Sequence, residues 1–434
     1  MFNVSRKQLV TAAAVLLLVP SMGWGAGFAI FENGARSAAM GGAFTAVADD
    51  PSAMFWNPAG MAFQTDKGMQ LMAGVSLIAP TQDFRGQAVY PGDGYTASQK
   101  SQIFYPPHLF FLMPLNERWT LGFGASAPFG LGTWWEDDYA GRFISKRTNI
   151  QSFDNAFNVA WRATDWAAFS AGVDYLTFQL DLTNNIGFVN PYTQQLVDVG
   201  QVHLMTDGLK NSAFGWNVGA LFKLGAGFSA GIAYRSTFDV KIDDAYGSFI
   251  QFPSGYPDFD AVLASRIPFG QKVSGKSSIE LPDVLSLGLA WTGETWTVAV
   301  QYNWQGWSSF QTLDIEFIDY PHLNQSIEEG YENSNTYRIG AEHRFNEKVA
   351  IQLGWVYDET PQPRFSMSPL LGDSDRREYN IGMSYTAGKM RFDVGYTYLM
   401  AARRATDGTS VDGYDGEYRD TVANIFNMTF SYQF

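Results

Sequence analysis

In segment after segment of this 434-residue chain, apolar residues fall at every second position. Trp296, Val298, Val300, Tyr302 and Trp304 alternate with Thr297, Ala299, Gln301 and Asn303. Val349, Ile351, Leu353, Trp355 and Tyr357 alternate with Ala350, Gln352 and Gly354. The chain stops on such a row, Phe426, Met428, Phe430, Tyr432 and Phe434. A period of two is a strand with two unlike faces. Very short turns alternate with long polar segments between these strands, which is how an outer-membrane β-barrel reads. The apolar row is expected to face lipid and the small or polar row the lumen. Closure of the last strand on the first is required, because hydrocarbon tolerates no unpaired sheet edge.

The pattern predicts fourteen antiparallel strands, at 67–79, 99–113, 117–127, 147–163, 165–180, 212–224, 226–240, 273–292, 294–310, 333–346, 347–359, 376–387, 389–401 and 421–434. The tight turns fall at Pro114-Leu115-Asn116, Thr164, Gly225, Gly293, Asn346-Glu347 and Gly388, residues suited to sharp reversals. Seven long connections fall on the other side, and only an even strand count puts both ends together.

Arg6 and Lys7, an apolar run from Leu9 to Val19, and Gly23 and Gly25 read as a secretory signal over residues 1–25, with Ala26 as the expected mature start. No later apolar run is long enough for a helical span. The chain has no cysteine, so an exported fold must rest on its closed sheet. A net charge of −14 argues against nucleic acid. Glu136-Asp137-Asp138, Asp243-Asp244 and Glu328-Glu329 read as solvated loops.

No chemistry of catalysis is legible. His108, His203, His322 and His343 are scattered and lack metal spacing. There is no G-x-S-x-G elbow. No enzyme activity, cofactor or metal is expected.

A fourteen-stranded barrel is too wide for its own side chains to fill. Residues 26–66 precede the barrel (67–434), lack alternation and are rich in Gly, Ala and Ser. Phe28, Phe31, Phe44, Phe55 and Trp56 would be wasted in a disordered tail. A hatch of short helices inside the barrel is expected.

Within that segment stand Asp49-Asp50-Pro51-Ser52-Ala53 and Phe55-Trp56-Asn57-Pro58-Ala59-Gly60-Met61. Together with Ala26-Gly27-Phe28, the stretch resembles the N-terminal hatch of FadL-type long-chain fatty acid and hydrocarbon transporters. Pro128-Phe129-Gly130-Leu131, Tyr234-Arg235-Ser236, Leu281-Pro282-Asp283, Trp307-Ser308-Ser309-Phe310 and Thr360-Pro361-Gln362-Pro363 resemble later family motifs, in order. The resemblance implies that Ala26, Gly27 and Phe28 enter an internal apolar pocket. It implies that Asn57, Pro58 and Ala59 lie against a kinked third strand that opens the wall sideways. Gly122, Gly124 and Pro128 could permit the kink. It also implies a ligand groove between the third and fourth outer loops, where Phe252, Phe259 and Leu263 could form an apolar lid. The expected partners are a hydrophobic small molecule, outer-membrane lipid and lipopolysaccharide, and the protein is expected to be a monomer. The expected cargo is a long-chain fatty acid, the commoner family cargo. A neutral or aromatic hydrocarbon is the alternative, and a general diffusion porin a third reading. Near the loop end of strand five, where a carboxylate-binding cation would be sought, stand Phe178, Gln179 and Leu180.

Overall fold

The computed structural model describes residues 27–434. Ala26 and the expected signal segment lie outside the described residues. Fourteen strands form one closed antiparallel barrel. They are β1 (Gln70–Gly86), β2 (Pro107–Pro114), β3 (Trp119–Ser126, resuming as Gly130–Trp134), β4 (Arg147–Arg162), β5 (Ala167–Val189) and β6 (Asn211–Gly225). β7 runs as Phe228–Arg235 and Phe238–Gln251, and β8 as Lys272–Leu281 and Val284–Thr292. The rest are β9 (Trp296–Gln305), β10 (Ser334–Arg344), β11 (Val349–Asp358), β12 (Arg376–Ala387), β13 (Met390–Ala401) and β14 (Gly416–Gln433). Each pairs with its sequence neighbours, and β14 closes on β1 from Gln70↔Gln433 to Gly86↔Gly416. The terminal apolar row therefore lies in the closing strand.

Three of the short turns are closed by side chains. Asn116 Oδ1 accepts from the amides of Arg118 and Trp119 at 2.9 and 3.0 Å. Asn346 Oδ1 accepts from Lys348 and Val349 at 2.8 and 3.0 Å. Thr164 Oγ1 accepts from Ala167 N at 3.0 Å. Each supplies the hydrogen bond that a two-strand reversal leaves open.

The lipid-facing rows are as the alternation requires. Val300, Ile339, Leu353, Val394 and Phe426 are exposed, and Ala299, Gln301, Gln352 and Asn427 are buried. The strands are longer than expected at their outer ends: β1 reaches Gly86, β5 Val189 and β7 Gln251. There the alternation inverts. Phe238, Val240 and Ile242 face the interior, while Asp239, Lys241 and Asp243 face outward. Above the hydrocarbon the outer surface meets water and polar headgroups, so the apolar row turns inward to make a core. Along β5 the inward row reads Ser170, Gly172, Asp174, then Leu176, Phe178, Leu180 and Leu182. The interior is thus polar in its middle and apolar above.

Residues 28–62 are almost wholly buried within the barrel. They form two short helices, α1 (Ala35–Ala39) and α2 (Ala53–Trp56), and a 3-10 turn, Pro58–Phe63. Small residues let these turns sit directly on the wall. A Cβ at Gly288 would lie 2.9 Å from Ala46 N, and one at Gly395 3.0 Å from Ala35 O.

Candidate functional site

The upper interior is one apolar cluster. It gathers Leu176, Phe178 and Leu180 of β5, Phe238 and Val240 of β7, and Trp307 and Phe310 after β9. Phe28 is buried in it, with its ring centroid 4.7 Å from that of Trp307, 5.8 Å from Phe310 and 6.3 Å from Phe129. Gly27 N donates to Asp373 Oδ2 at 3.0 Å. The next residues pair with the third strand from inside. Ile30 N donates to Pro128 O at 2.7 Å, and Gly130 N to Phe28 O at 2.8 Å.

That contact falls where the wall is broken. β3 pairs with β4 at Ser126↔Asp154 and again at Gly130↔Gln151. Three residues, Ala127, Pro128 and Phe129, stand opposite two, Ser152 and Phe153. This is a β-bulge of one residue, and it bends its strand. On the other edge the ladder to β2 stops at Leu109↔Ala125 and is next met at Gln99↔Trp135. Between these pairs the wall has no ladder on that side. Pro106 and Pro107 on one side and Pro128 on the other lack the amide protons a ladder would need.

Gly122 and Gly124 lie below this break on the inner face. A Cβ at Gly122 would collide with Met54 Sδ and Met61 Sδ, and one at Gly124 would lie 3.3 Å from Met54 Cε. The hatch therefore meets the third strand through Met54 and Met61, on either side of Asn57. Asn57 itself is turned away from that strand. Its Nδ2 donates to Thr45 O at 2.9 Å and to Ala220 O of β6 at 3.0 Å, and its Oδ1 accepts from Ala59 N at 3.2 Å. The flexible thioethers can reach the glycines, whereas the short amide is used up in holding the turn.

The hatch is latched to the wall by charge. Arg36, on α1, donates Nε and Nη2 to Glu342 of β10 at 2.6 and 3.0 Å. Its Nη1 bonds to Asp50 at 3.1 Å and also to Asp49. Sequence reading singled out neither this latch nor the roles of Trp307, Met54 and Met61. Charge pairing across 306 residues leaves no local signal.

At the outer end, the fourth loop carries α3 (Pro257–Ala264). Leu263 is buried in the apolar cluster, and Phe259 packs against it half-buried. Phe252 is half-buried, and its amide donates to Val199 O at 2.8 Å. The third loop forms a strand, Leu196–Met205, laddered to β5 and β7. Where loops three and four meet along this ladder they are stitched together, not parted by a groove. An open recess with an apolar lining lies between Ile144 of loop two, Leu182, Val202, Phe317 and Ile327 of loop five, and Leu370 of loop six.

A match to the family described as outer membrane protein transport protein (OMPP1/FadL/TodX) runs over residues 16–434. The chain belongs to that family. It is 25% identical, over 99% of its length and all of the relative, to a long-chain fatty acid transport protein of Escherichia coli. It is 24% identical to outer membrane protein P1 of Haemophilus influenzae, over 71% of this chain and 69% of that one. Among solved structures, a Pseudomonas aeruginosa FadL homologue superposes with TM-score 0.78 at 19% identity, covering 96% and 100% of the two chains. The toluene transporter TodX of P. putida superposes with TM-score 0.71 at 18% identity, covering 93% and 99%. This chain is thus a FadL-family outer-membrane transport protein, and the family is one of transporters and not of enzymes.

Three cations bordering the apolar cluster of this FadL-family barrel are engaged, Arg376 through one of its two terminal nitrogens. Arg376 pairs with Asp373. His203 meets Asp181 at 2.8 Å. Arg404 donates to the carbonyls of Gln362 and Asp373 at 2.6 and 3.3 Å.

Proposed function

We propose that this protein takes up hydrophobic small molecules by diffusion, without an energy source. The ligand is captured in the apolar recess between the outer loops and passes into the cluster around Phe28. Movement of the hatch then lets it leave sideways at the break in β3. The observation that carries this reading is continuity. Phe28 and Phe129 belong to one apolar cluster, and Phe129 lies within the bulge. An apolar ligand gains about 25 cal/mol per Å² on leaving water for such a site. Its obstacle is the polar layer outside the bilayer, not the hydrocarbon, so lateral delivery suffices.

The engaged cations favour an uncharged ligand, because a carboxylate buried without a free basic partner costs several kcal/mol. A long-chain fatty acid is the second reading, supported by the name of the full-length relative from Escherichia coli. Competition binding with dodecane, methyl dodecanoate and dodecanoate at neutral pH separates the two. Tighter binding of dodecane and methyl dodecanoate than of dodecanoate, unchanged by Arg376→Gln or Arg404→Gln, supports the uncharged class. Tighter binding of the acid, lost in one of those variants, gives the site to fatty acids. No binding of any of them removes the transport reading.

A further inference from the structure

The wall is interrupted a second time, between β6 and β7. Their ladder runs from Phe228↔Gly225 up to Arg235↔Asn217. One rung follows, with Ser236 N donating to Trp216 O at 2.9 Å. Its return bond runs from Trp216 N to Ser236 Oγ, also at 2.9 Å, in place of the backbone carbonyl. Above that rung no ladder joins the two until β7 meets the loop-three strand at Tyr246↔Met205. The cause lies in the faces. Arg235 points inward, with its guanidinium over the hatch ring of Phe55, and Phe238, three residues on, is inward too. On β8, Ser286 and Leu281 are five residues apart and both face the interior. β7 and β8 thus reverse their faces together, at Ser236-Thr237 and Pro282-Asp283. Their own register is kept, Arg235↔Val284 below and Phe238↔Leu281 above. β6 keeps its faces, with Asn217, Gly215 and Ala213 all inward, and so cannot follow.

Side chains and a short flap close this break. On the inside Phe238 lies over Gly215, where a Cβ would stand 2.6 Å from its ring. Phe238 is fully buried in the apolar cluster, its ring centroid 6.5 Å from that of Phe129. The flap, Asp207–Lys210, leaves the sheet between two anchors on β5. Thr206 N donates to Leu180 O at 3.0 Å, and Asn211 pairs with Phe178. All four flap residues are exposed. Lys210 lies in the field of Asp244 on β7, and Asp207 in that of Lys272 on β8, so the flap reaches across the break. Opening the break therefore moves one ring and one flap and severs no ladder. Its edges tell what could pass. Phe214, 76% exposed, stands on the β6 edge above Trp216, whose ring centroid is 5.2 Å from that of Tyr234 on β7. Trp and Tyr mark the membrane–water interface. The β7 edge carries Asp239 and Lys241 outward, so the break lies at head-group level, where an unpaired strand edge is tolerated. Behind Phe238 is the cluster around Phe28. One row of pairs, Ser126↔Asp154↔Leu176↔Ala213, runs from the break in β3 to this one.

We infer that the break between β6 and β7 is a second side opening, through which hydrophobic molecules dissolved in the outer leaflet enter the apolar cluster, with Phe238 as its inner gate. This rests on the transport reading above and adds to it an entrance that bypasses the loops. A molecule that has already partitioned into the bilayer then need not return to water to be taken up.

The test uses the full-length protein in nanodiscs whose nitroxide-labelled lipid quenches an alkylnaphthalene probe until the probe enters the barrel. The probe is supplied either already dissolved in the nanodisc lipid or from water as a cyclodextrin complex, and the rate of unquenching is read for each. Phe238→Ala is expected to speed entry from lipid several-fold. Phe238→Leu serves the same end if the alanine variant does not give a heat-modifiable folded band. The chain has no cysteine, so Lys210→Cys with Asp244→Cys can be bridged by dibromobimane, whose fluorescence reports the bridge. Relative to the unbridged double variant, the bridge should slow entry from lipid several-fold and leave entry from water unchanged. Failure of the bridge to form would show that the flap does not span the break, and would overturn the proposal. Entry from lipid that is indifferent to both Phe238 and the bridge would overturn it as well, with the transport reading intact. No entry by either route in the unaltered protein would strike the transport reading first.

Discussion

Gly122 shows how little room the third strand leaves. Valine there would drive a methyl into Met54 and Met61, which are both fully buried. Overpacking of this kind costs about 1–3 kcal/mol. Gly122→Val is expected to keep its folded, heat-modifiable form but to melt at lower temperature, and Gly122→Val with Met61→Ala should recover part of the loss. No recovery in the double variant would show that the thioether is not the obstacle. Glu329, in the fifth loop, gives a second residue-scale expectation. Burial, with Asp412 adding repulsion, pushes its carboxyl up to about 8. Its folded value lies above the unfolded one, so the stabilisation is fully present below about pH 4.5 and is lost as pH rises through about 8. Limited proteolysis within 311–333 should be slow at pH 5 and faster at pH 9. Glu329→Gln should flatten that difference, and a variant that keeps it would place the titration elsewhere.

Among the elements, strands were legible and the hatch only partly so. A strand in lipid must show a period of two, and Trp296–Gln305 and Val349–Asp358 carry it plainly. The outer halves of β5 and β7 were missed because their apolar row faces inward and their outer row is polar on β5 and charged on β7, so the rule tied to hydrocarbon no longer applied. Phe28 was legible as a buried aromatic in a segment of small residues. The Arg36 latch was not, since its wall partner, Glu342, lies 306 residues away in sequence. That latch sets the stability of the hatch as a unit. Arg36→Ala leaves Glu342, 2% exposed, without its main cation. Breaking a buried pair from one side costs about 3–5 kcal/mol. The hatch should loosen while the barrel stays closed, seen as flickering ion conductance in planar bilayers. Arg36→Met with Glu342→Gln removes both charges and should flicker less than Arg36→Ala. Equal flickering in the two would mean that the lost packing of Arg36, not the orphaned carboxylate, sets the effect.

For the whole molecule, the barrel and its contents are separable in physical terms. The β1–β14 pairing that closes the wall joins Gln70–Gly86 to Gly416–Gln433, continues with Phe434 N donating to Met69 O at 2.9 Å, and uses no residue of the hatch. The lower interior, by contrast, is filled by the hatch, residues 28–62. Beside Phe55 and Trp56, within the wall of Asn217, Ser286 and Asn303, a cavity of about 40 Å³ is left. A second cavity, of about 140 Å³, lies at the turn end of the hatch among Arg36, Asp50, Lys67 and Arg391. Residues 28–62 lie buried across the lumen, so the intact protein should conduct ions hardly at all, although a fourteen-stranded wall alone encloses a wide lumen. Deleting residues 27–66 should leave a barrel that inserts and shows heat-modifiable migration, with steady single-channel conductance at least tenfold above the intact protein. Arg36→Ala should fall between the two, because its hatch is loosened and not removed. A deletion variant that inserts normally and conducts no more than the intact chain would mean that the wall itself collapses on the lumen or that the outer loops are the seal. A hatch that opens the way for ligand would then have no place in the mechanism.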